Sequence, residues 1–241
     1  MYDLTQFRKD LSCFDIVLTE QMEEQFLQYY ELLVEWNGFM NLTAITDYDE
    51  VMKKHFVDSL SLVKAYDKIR REQICVIDIG TGAGFPGIPL KIAFPQIKLT
   101  LLDSLQKRIK FLGEVAEKLG LQEIELIHGR AEDFAKPSMK RGQYDLCVSR
   151  AVANLSTLSE LCLPYVKEGG FFVSYKSEKI LEEAEAAKNA IQILGGEIAE
   201  QNAFTLPDSD IYRNLFVIHK VKVTPKKYPR KAGLPAKEPL K

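Results

Sequence analysis

Residues 76–85, Val-Ile-Asp-Ile-Gly-Thr-Gly-Ala-Gly-Phe, close a short apolar run and then set glycines at positions 80, 82 and 84. Residues 74–79 are apolar except for one acid, the pattern of a strand buried on both faces. Pro86 suits a first helical turn, so the stretch predicts a strand, a glycine loop and a helix. Glycines let a backbone turn sharply and approach a ligand without a Cβ clash. In open parallel sheets such ligands lie beyond the carboxyl ends of the strands, at the switch point. The loop therefore predicts a site for an adenosine-containing cofactor, built on Asp78, Gly80, Gly82, Gly84 and Phe85.

Outward from the loop, the pattern repeats. Apolar runs at 98–103, 124–128, 144–149 and 171–175 alternate with helical periods at 86–94, 105–119, 155–166 and 178–194. Such alternation implies a parallel sheet covered on both faces. Residues 196–205 and 214–221 read as two further strands. Their short link, LPDSDIYR, has no helical period, which predicts an antiparallel hairpin at the sheet edge. A parallel sheet ending in such a hairpin resembles the class I methyltransferase arrangement. The expected fold is thus α/β and Rossmann-like, a mostly parallel seven-stranded sheet with an antiparallel edge strand.

Residues 1–70 predict an N-terminal helical extension packed on a core at 71–221. In 19–36 the positions Met22, Phe26, Tyr29, Tyr30, Leu33 and Trp36 recur at helical spacing, and Thr19 resembles a helix start. Asn37-Gly38 is expected to stop that helix. A second amphipathic helix is expected over 49–66, with Val51, His55, Leu60 and Val63 on or near one face.

The composition is that of an ordinary globular chain, and no apolar run approaches the ~18 residues a membrane helix needs. The N-terminus lacks the apolar segment of a secretory signal. Cys13, Cys75, Cys147 and Cys162 include no C-x-x-C pair, so no metal site is expected and a reducing cytoplasm is. The net charge of −2 hides an asymmetry: residues 220–241 carry +7 and the rest −9. The basic tail, 222–241, reads either as a polyanion-binding arm or as a solvated end.

Two cofactors fit the glycines. Gly82-x-Gly84-x-x-Gly87 also matches a dinucleotide fingerprint, with Asp103 at the distance of a ribose-binding acid, as in an NAD-dependent oxidoreductase. Three features favour S-adenosylmethionine. Asp78 would repel a pyrophosphate and attract a sulfonium and an ammonium group. Gly80 follows the strand more directly than Gly82. An acid recurs after the third strand, at Glu132 and Asp133. Asp103 can accept from both ribose hydroxyls, and a group near Ala131–Glu132 can read the adenine edge. Phe85 can pack near the adenosine or close the helix against the sheet.

The stretches WNGFMNLTAIT (36–46), HFVDSL (55–60), IDIGTGAGFPGIPLKI (77–92), LLDSLQKRIKFL (101–112), GRAEDF (129–134), SRAVANL (149–155) and TPKKYPRKAG (224–233) resemble one family. It is the bacterial small-subunit ribosomal RNA methyltransferase G family, also called glucose-inhibited division protein B. The resemblance runs over nearly the whole chain. It implies methyl transfer from S-adenosylmethionine to N7 of one guanine in the decoding region of 16S rRNA. It also implies Gly80, Phe85, Ala131, Glu132 and Arg150 as cofactor-binding positions, with Asp103 on the ribose. The implied partner is 16S rRNA or the small ribosomal subunit, and a monomer is the default expectation. Another substrate on the same fold is the alternative.

Guanine N7 already offers an in-plane lone pair, so the reaction needs proximity and in-line orientation rather than a general base. Arg150, at a strand end beside the loop, is the expected catalytic residue. It can hydrogen-bond guanine O6, hold a phosphate or clamp the cofactor's carboxylate; a salt bridge to Asp78 or Asp145 is the bland alternative. His55 with Asp58 is open between an acid–base pair and a packed histidine. Asn41 and Thr43 are open between a turn and a substrate contact. Lys226, Lys227, Arg230 and Lys231, interleaved with Tyr228 and Pro229, suit RNA backbone contact plus one stacked base.

Overall fold

The chain is described by a computed structural model over residues 2–150, 153–177 and 180–241. Seven strands form its centre: β1 (Cys75–Ile79), β2 (Lys98–Asp103), β3 (Ile124–His128), β4 (Tyr144–Arg150), β5 (Val166–Lys176), β6 (Gly196–Thr205) and β7 (Tyr212–Lys220). They pair in the order β3-β2-β1-β4-β5-β7-β6. The first five are mutually parallel, and β7 runs antiparallel to both β5 and β6. The chain leaves β1 for β2 on one side and returns to β4 on the other, so the switch point lies between β1 and β4.

Alternation along β1 divides the core into two faces. Val76 joins one apolar cluster with Leu99, Leu101 and Val148, under the N-terminal helices. Ile77 and Ile79 join the other with Leu102, Cys147 and Phe216. The first face is covered by α1 (Thr5–Ser12), α2 (Glu20–Met40), α3 (Tyr48–Val51), α4 (Asp58–Leu60), α5 (Gly87–Ala93) and α6 (Gln106–Lys118). The second is covered mainly by α8 (Leu155–Cys162) and α9 (Ile180–Ile193), with the short α7 (Ala131–Phe134) beside them and α10 (Leu234–Lys237) near the C-terminus. The helical period expected from residue 178 begins in part outside the described residues.

Three local expectations are corrected. Asn37-Gly38 does not stop α2, which continues to Met40 and ends at Asn41 in the left-handed conformation, φ 51°. Gly38 in a helix costs only about 1 kcal/mol, and burial of Met40 beyond it offsets that. Residues 49–66 are not one α-helix. Between α3 and α4 lies a π-helical turn, Met52–Val57, and a 3₁₀ turn follows at Ser61–Lys64. The π turn carries His55, and such turns gather at functional sites. Finally, residues 222–241 are not a free end but fold back across α8.

Candidate functional site

The loop after β1 is braced from beneath. Asp78 is fully buried, and its Oδ2 accepts from Thr81 Oγ1 at 2.8 Å and from the Gly87 amide at 2.9 Å. Burial pushes its carboxyl up to about 7, and Oδ1 has no partner among the described residues. Asp78 is therefore a brace within the loop, where a ligand-facing charge was expected. Gly84 is likewise a packing position. A Cβ there would stand 2.7 Å from the Tyr29 hydroxyl and 2.7 Å from Ile88 Cγ1. A dinucleotide reading needs that glycine to face a pyrophosphate, and it faces the core instead.

A first cavity of about 370 Å³ opens over the carboxyl ends of β1, β2 and β3. Gly80, Asp103, Ala131 and Glu132 all line it, from three successive strand ends. Asp78, Gly82, Gly84, Phe85 and Arg150 do not. Gly82 contributes indirectly, since its amide donates to Asp103 Oδ2 at 2.9 Å and ties the loop to β2. Asp103 is buried and well supplied with donors. Oδ1 accepts from the Leu105 amide at 2.9 Å, and Oδ2 also receives Arg108 Nη1 at 3.2 Å. A carboxylate offers about four acceptor sites. Three are filled, the last by the half-exposed Arg108. At the far end Glu132 Oε1 accepts the Gly233 amide at 2.8 Å, and Oε2 has no partner among the described residues.

S-adenosylmethionine fits these residues. The cavity is within the size range of small-molecule sites. It offers apolar walls in Ile79, Leu102 and Leu161, one carboxylate at the ribose distance from the loop and a second at the opposite end.

A second cavity, about 460 Å³, adjoins the ends of β4 and β5. Lys54, Arg150, Lys176 and Arg213 line it against Asp58 and Glu183, so cations predominate. Asp58, 3% exposed at its side chain, organises the cluster. Its Oδ2 accepts from Arg150 Nη1 at 2.8 Å and its Oδ1 from Arg213 Nε at 2.8 Å. Arg150 thus has an acidic partner, but it is Asp58 and neither Asp78 nor Asp145. The Arg150 guanidinium also stands 5.0 Å from the centre of the Phe85 ring, and His55 stacks on that ring at 4.5 Å. Phe85 belongs to this second group and packs the α5 start against α2 and the π turn.

His55 is not paired with Asp58. Arg150 Nη2 donates to its Nδ1 at 3.3 Å, and Nε2 lies 2.9 Å from Thr43 Oγ1. With Nδ1 accepting, Nε2 carries the proton and donates to Thr43. Burial, aided by Arg150, pushes the imidazole down to about 3, so it stays neutral in use. Thr43 is thereby a partner of His55, and Asn41 is a helix cap.

Arg230 is not a free phosphate-binding cation. Its Nε and Nη2 donate to both oxygens of Glu160, at 2.7–3.1 Å, and Glu160 is fully buried in α8. Lys226, Lys227 and Lys231 remain exposed, and Tyr228 is buried, so no ring is offered for stacking. Arg213, Lys176, Glu160 and the turn at Gly233 escaped the sequence reading. Arg213, Glu160 and Gly233 act through partners far away in the chain, and Lys176 through Glu183 seven residues on.

The sheet order, the hairpin and the loop over the switch point define a class I methyltransferase fold. Solved structures agree at the level of fold. TYW2 of M. jannaschii, solved in complex with AdoMet, superposes with TM-score 0.51 at 17% identity, over 67% of this chain and 74% of that one. The [4+2]-cyclase SpnF superposes with TM-score 0.54 at 13% identity, over 69% of this chain and 82% of that one. One architecture carrying both shows that fold alone does not choose the reaction.

The sequence narrows this further. The rRNA small subunit methyltransferase G family model matches residues 22–212. Ribosomal RNA small subunit methyltransferase G of Lachnoclostridium phytofermentans is 53% identical over 240 residues, covering 100% of this chain and 98% of that protein. The proteins of the same name from Staphylococcus aureus strain Newman (54%; 94% of this chain, 93% of that protein) and Lactococcus lactis (50%; 98% of each) are similarly close. The chain belongs to the rRNA small subunit methyltransferase G family.

Proposed function

We propose that this chain transfers a methyl group to N7 of one guanine in the decoding region of 16S rRNA, with S-adenosylmethionine as donor. The observation that carries this reading is the pair of cavities on one carboxyl edge of the sheet. One is carboxylate-lined across the ends of β1–β3, and the other is cationic across β4 and β5.

When bound, the cofactor supplies an electrophilic methyl sulfonium. Asp103 would hold the ribose, and Gly80 would leave room for the adenosine. Ala131 and Glu132 would hold the adenine. Arg150 lines the second cavity and stands over the Phe85 ring, and it would meet the target base there. Arg150 donates to guanine O6 or to a flanking phosphate, because a cation at N7 would compete for the attacking lone pair. Lys54, Lys176 and Arg213 hold adjacent RNA phosphates. No side chain need remove a proton, which accords with a neutral His55 held between Arg150 and Thr43. The target is 16S rRNA or the small subunit, met by a monomer in the cytoplasm.

Mapping methylated guanine in rRNA from cells with and without the gene tests the reading. Loss of one 7-methylguanine in the decoding region is expected, and an unchanged map overturns it. Calorimetry with S-adenosylhomocysteine against NAD tests the cofactor separately, and binding of NAD alone would overturn that part.

A further inference from the structure

The C-terminal segment, which the sequence leaves open between a polyanion-binding arm and a solvated end, is bolted against the first cavity. Arg141 donates to the carbonyls of Tyr228 (2.7 Å) and Pro225 (3.1 Å), and also to that of Thr224. Arg230 then engages Glu160 through both its side chain and its amide, the amide at 2.7 Å. Beyond that bolt, Gly233 turns the chain at φ 84°, a conformation side chains disfavour, and aims its amide at Glu132. Pro235 is buried, and its carbonyl accepts from Thr157 Oγ1 at 3.1 Å; the Leu240 carbonyl accepts from Ser156. Gly233, Pro235 and Ala236 line the first cavity together with Ala131, Glu132 and Leu161.

We propose that the turn Gly233–Ala236 is the outer wall of the adenine subsite, and that the Arg230–Glu160 pair is its positioning bolt. This rests on the cofactor reading of that cavity. An adenine ring needs apolar surface on its faces and polar atoms at its edge. Ala131, Leu161, Pro235 and Ala236 all line the cavity and supply apolar surface. Glu132 joins the tail to that lining, since Oε1 holds the tail and Oε2 remains for the base. The bolt lies on the same helix as Thr157 and Leu161, so α8 sets the tail and the cavity together. Lysines 226, 227 and 231 are exposed and do not line the cavity.

Hydrogen exchange on the intact wild-type protein tests this directly. Saturating S-adenosylhomocysteine is expected to slow exchange at residues 232–237 together with the loop at 80–82. Protection of the loop without the tail overturns the proposal. Protection of neither means the cofactor reading itself has failed. Slowing of the tail by deproteinised small-subunit rRNA, and not by S-adenosylhomocysteine, also overturns the proposal. Arg230→Ala is expected to raise the Kd for S-adenosylhomocysteine at least tenfold, with RNA affinity within twofold of wild type; the reverse pattern refutes the bolt.

Discussion

Arg150 Nη1 lies 2.8 Å from Asp58 Oδ2, so the residue expected to meet the target base is held by a carboxylate of the N-terminal helices. Asp58 holds Arg213 with its other oxygen. Removing Asp58 leaves two inward guanidiniums uncompensated, while removing Arg150 leaves Asp58 still paired. Asp58→Ala is expected to cost roughly 3–5 kcal/mol in urea unfolding. Arg150→Ala should cost much less yet lower kcat by about 100-fold. Wild-type turnover in Arg150→Ala would remove it from the site.

The loop glycines should separate by role. Gly84→Ala drives a Cβ against Tyr29, Ile88 and Leu112 at positive φ, and is expected to cost about 2–4 kcal/mol. At Gly82 a Cβ meets nothing within 4 Å, and the left-handed backbone alone costs about 1 kcal/mol. Thermal unfolding of the two variants ranks them, and equal losses would deny Gly84 its packing role.

Asp78 should make stability fall with rising pH. Its folded carboxyl is held at about 7, above the ordinary 3.8, by burial. The native state therefore keeps a proton that the unfolded chain releases. The stabilisation is complete below the ordinary value and is lost as pH rises through about 7. Relative to wild type, Asp78→Asn is expected to gain stability between pH 4 and 7, with a constant difference above. A pH-independent difference in urea midpoints would contradict the buried, protonated brace.

His55 works in the opposite sense. Its folded value of about 3 lies below the ordinary 6.5 through burial and Arg150. Its contribution is present above pH 6.5 and is lost as pH falls toward 3. In a ring-proton NMR titration one of the three histidines should stay neutral from pH 8 to 5. His55→Gln should leave the shape of the pH–rate profile unchanged. A lost acidic limb near 6.5 in that variant would restore His55 as a general base.

Much of the fold was legible locally. The strand after residue 74, the glycine loop and the acids at 103 and 132 follow from apolar periodicity and backbone sterics, which act over a few residues. Less of the site was legible. Asp78 reads as a ligand charge until its burial beneath Thr81 and Gly87 is seen. Gly84 reads as a ligand-facing glycine until Tyr29 is found opposite it. The helix through Asn37-Gly38 shows how buried neighbours override a local stop.

The amino-acid order by itself determined the alternation of strands and helices, the closing hairpin and the family. Each depends on short-range pattern or on motifs held contiguously in the chain. Only the tertiary structure decided where the charges go. Arg150 meets Asp58 across 92 residues, and Arg230 meets Glu160 across 70. Such pairing depends on which groups burial brings together, because a buried charge must find its partner in space rather than in sequence. By that rule Arg230 pairs with Glu160, and the basic tail lies against α8 and lines the first cavity.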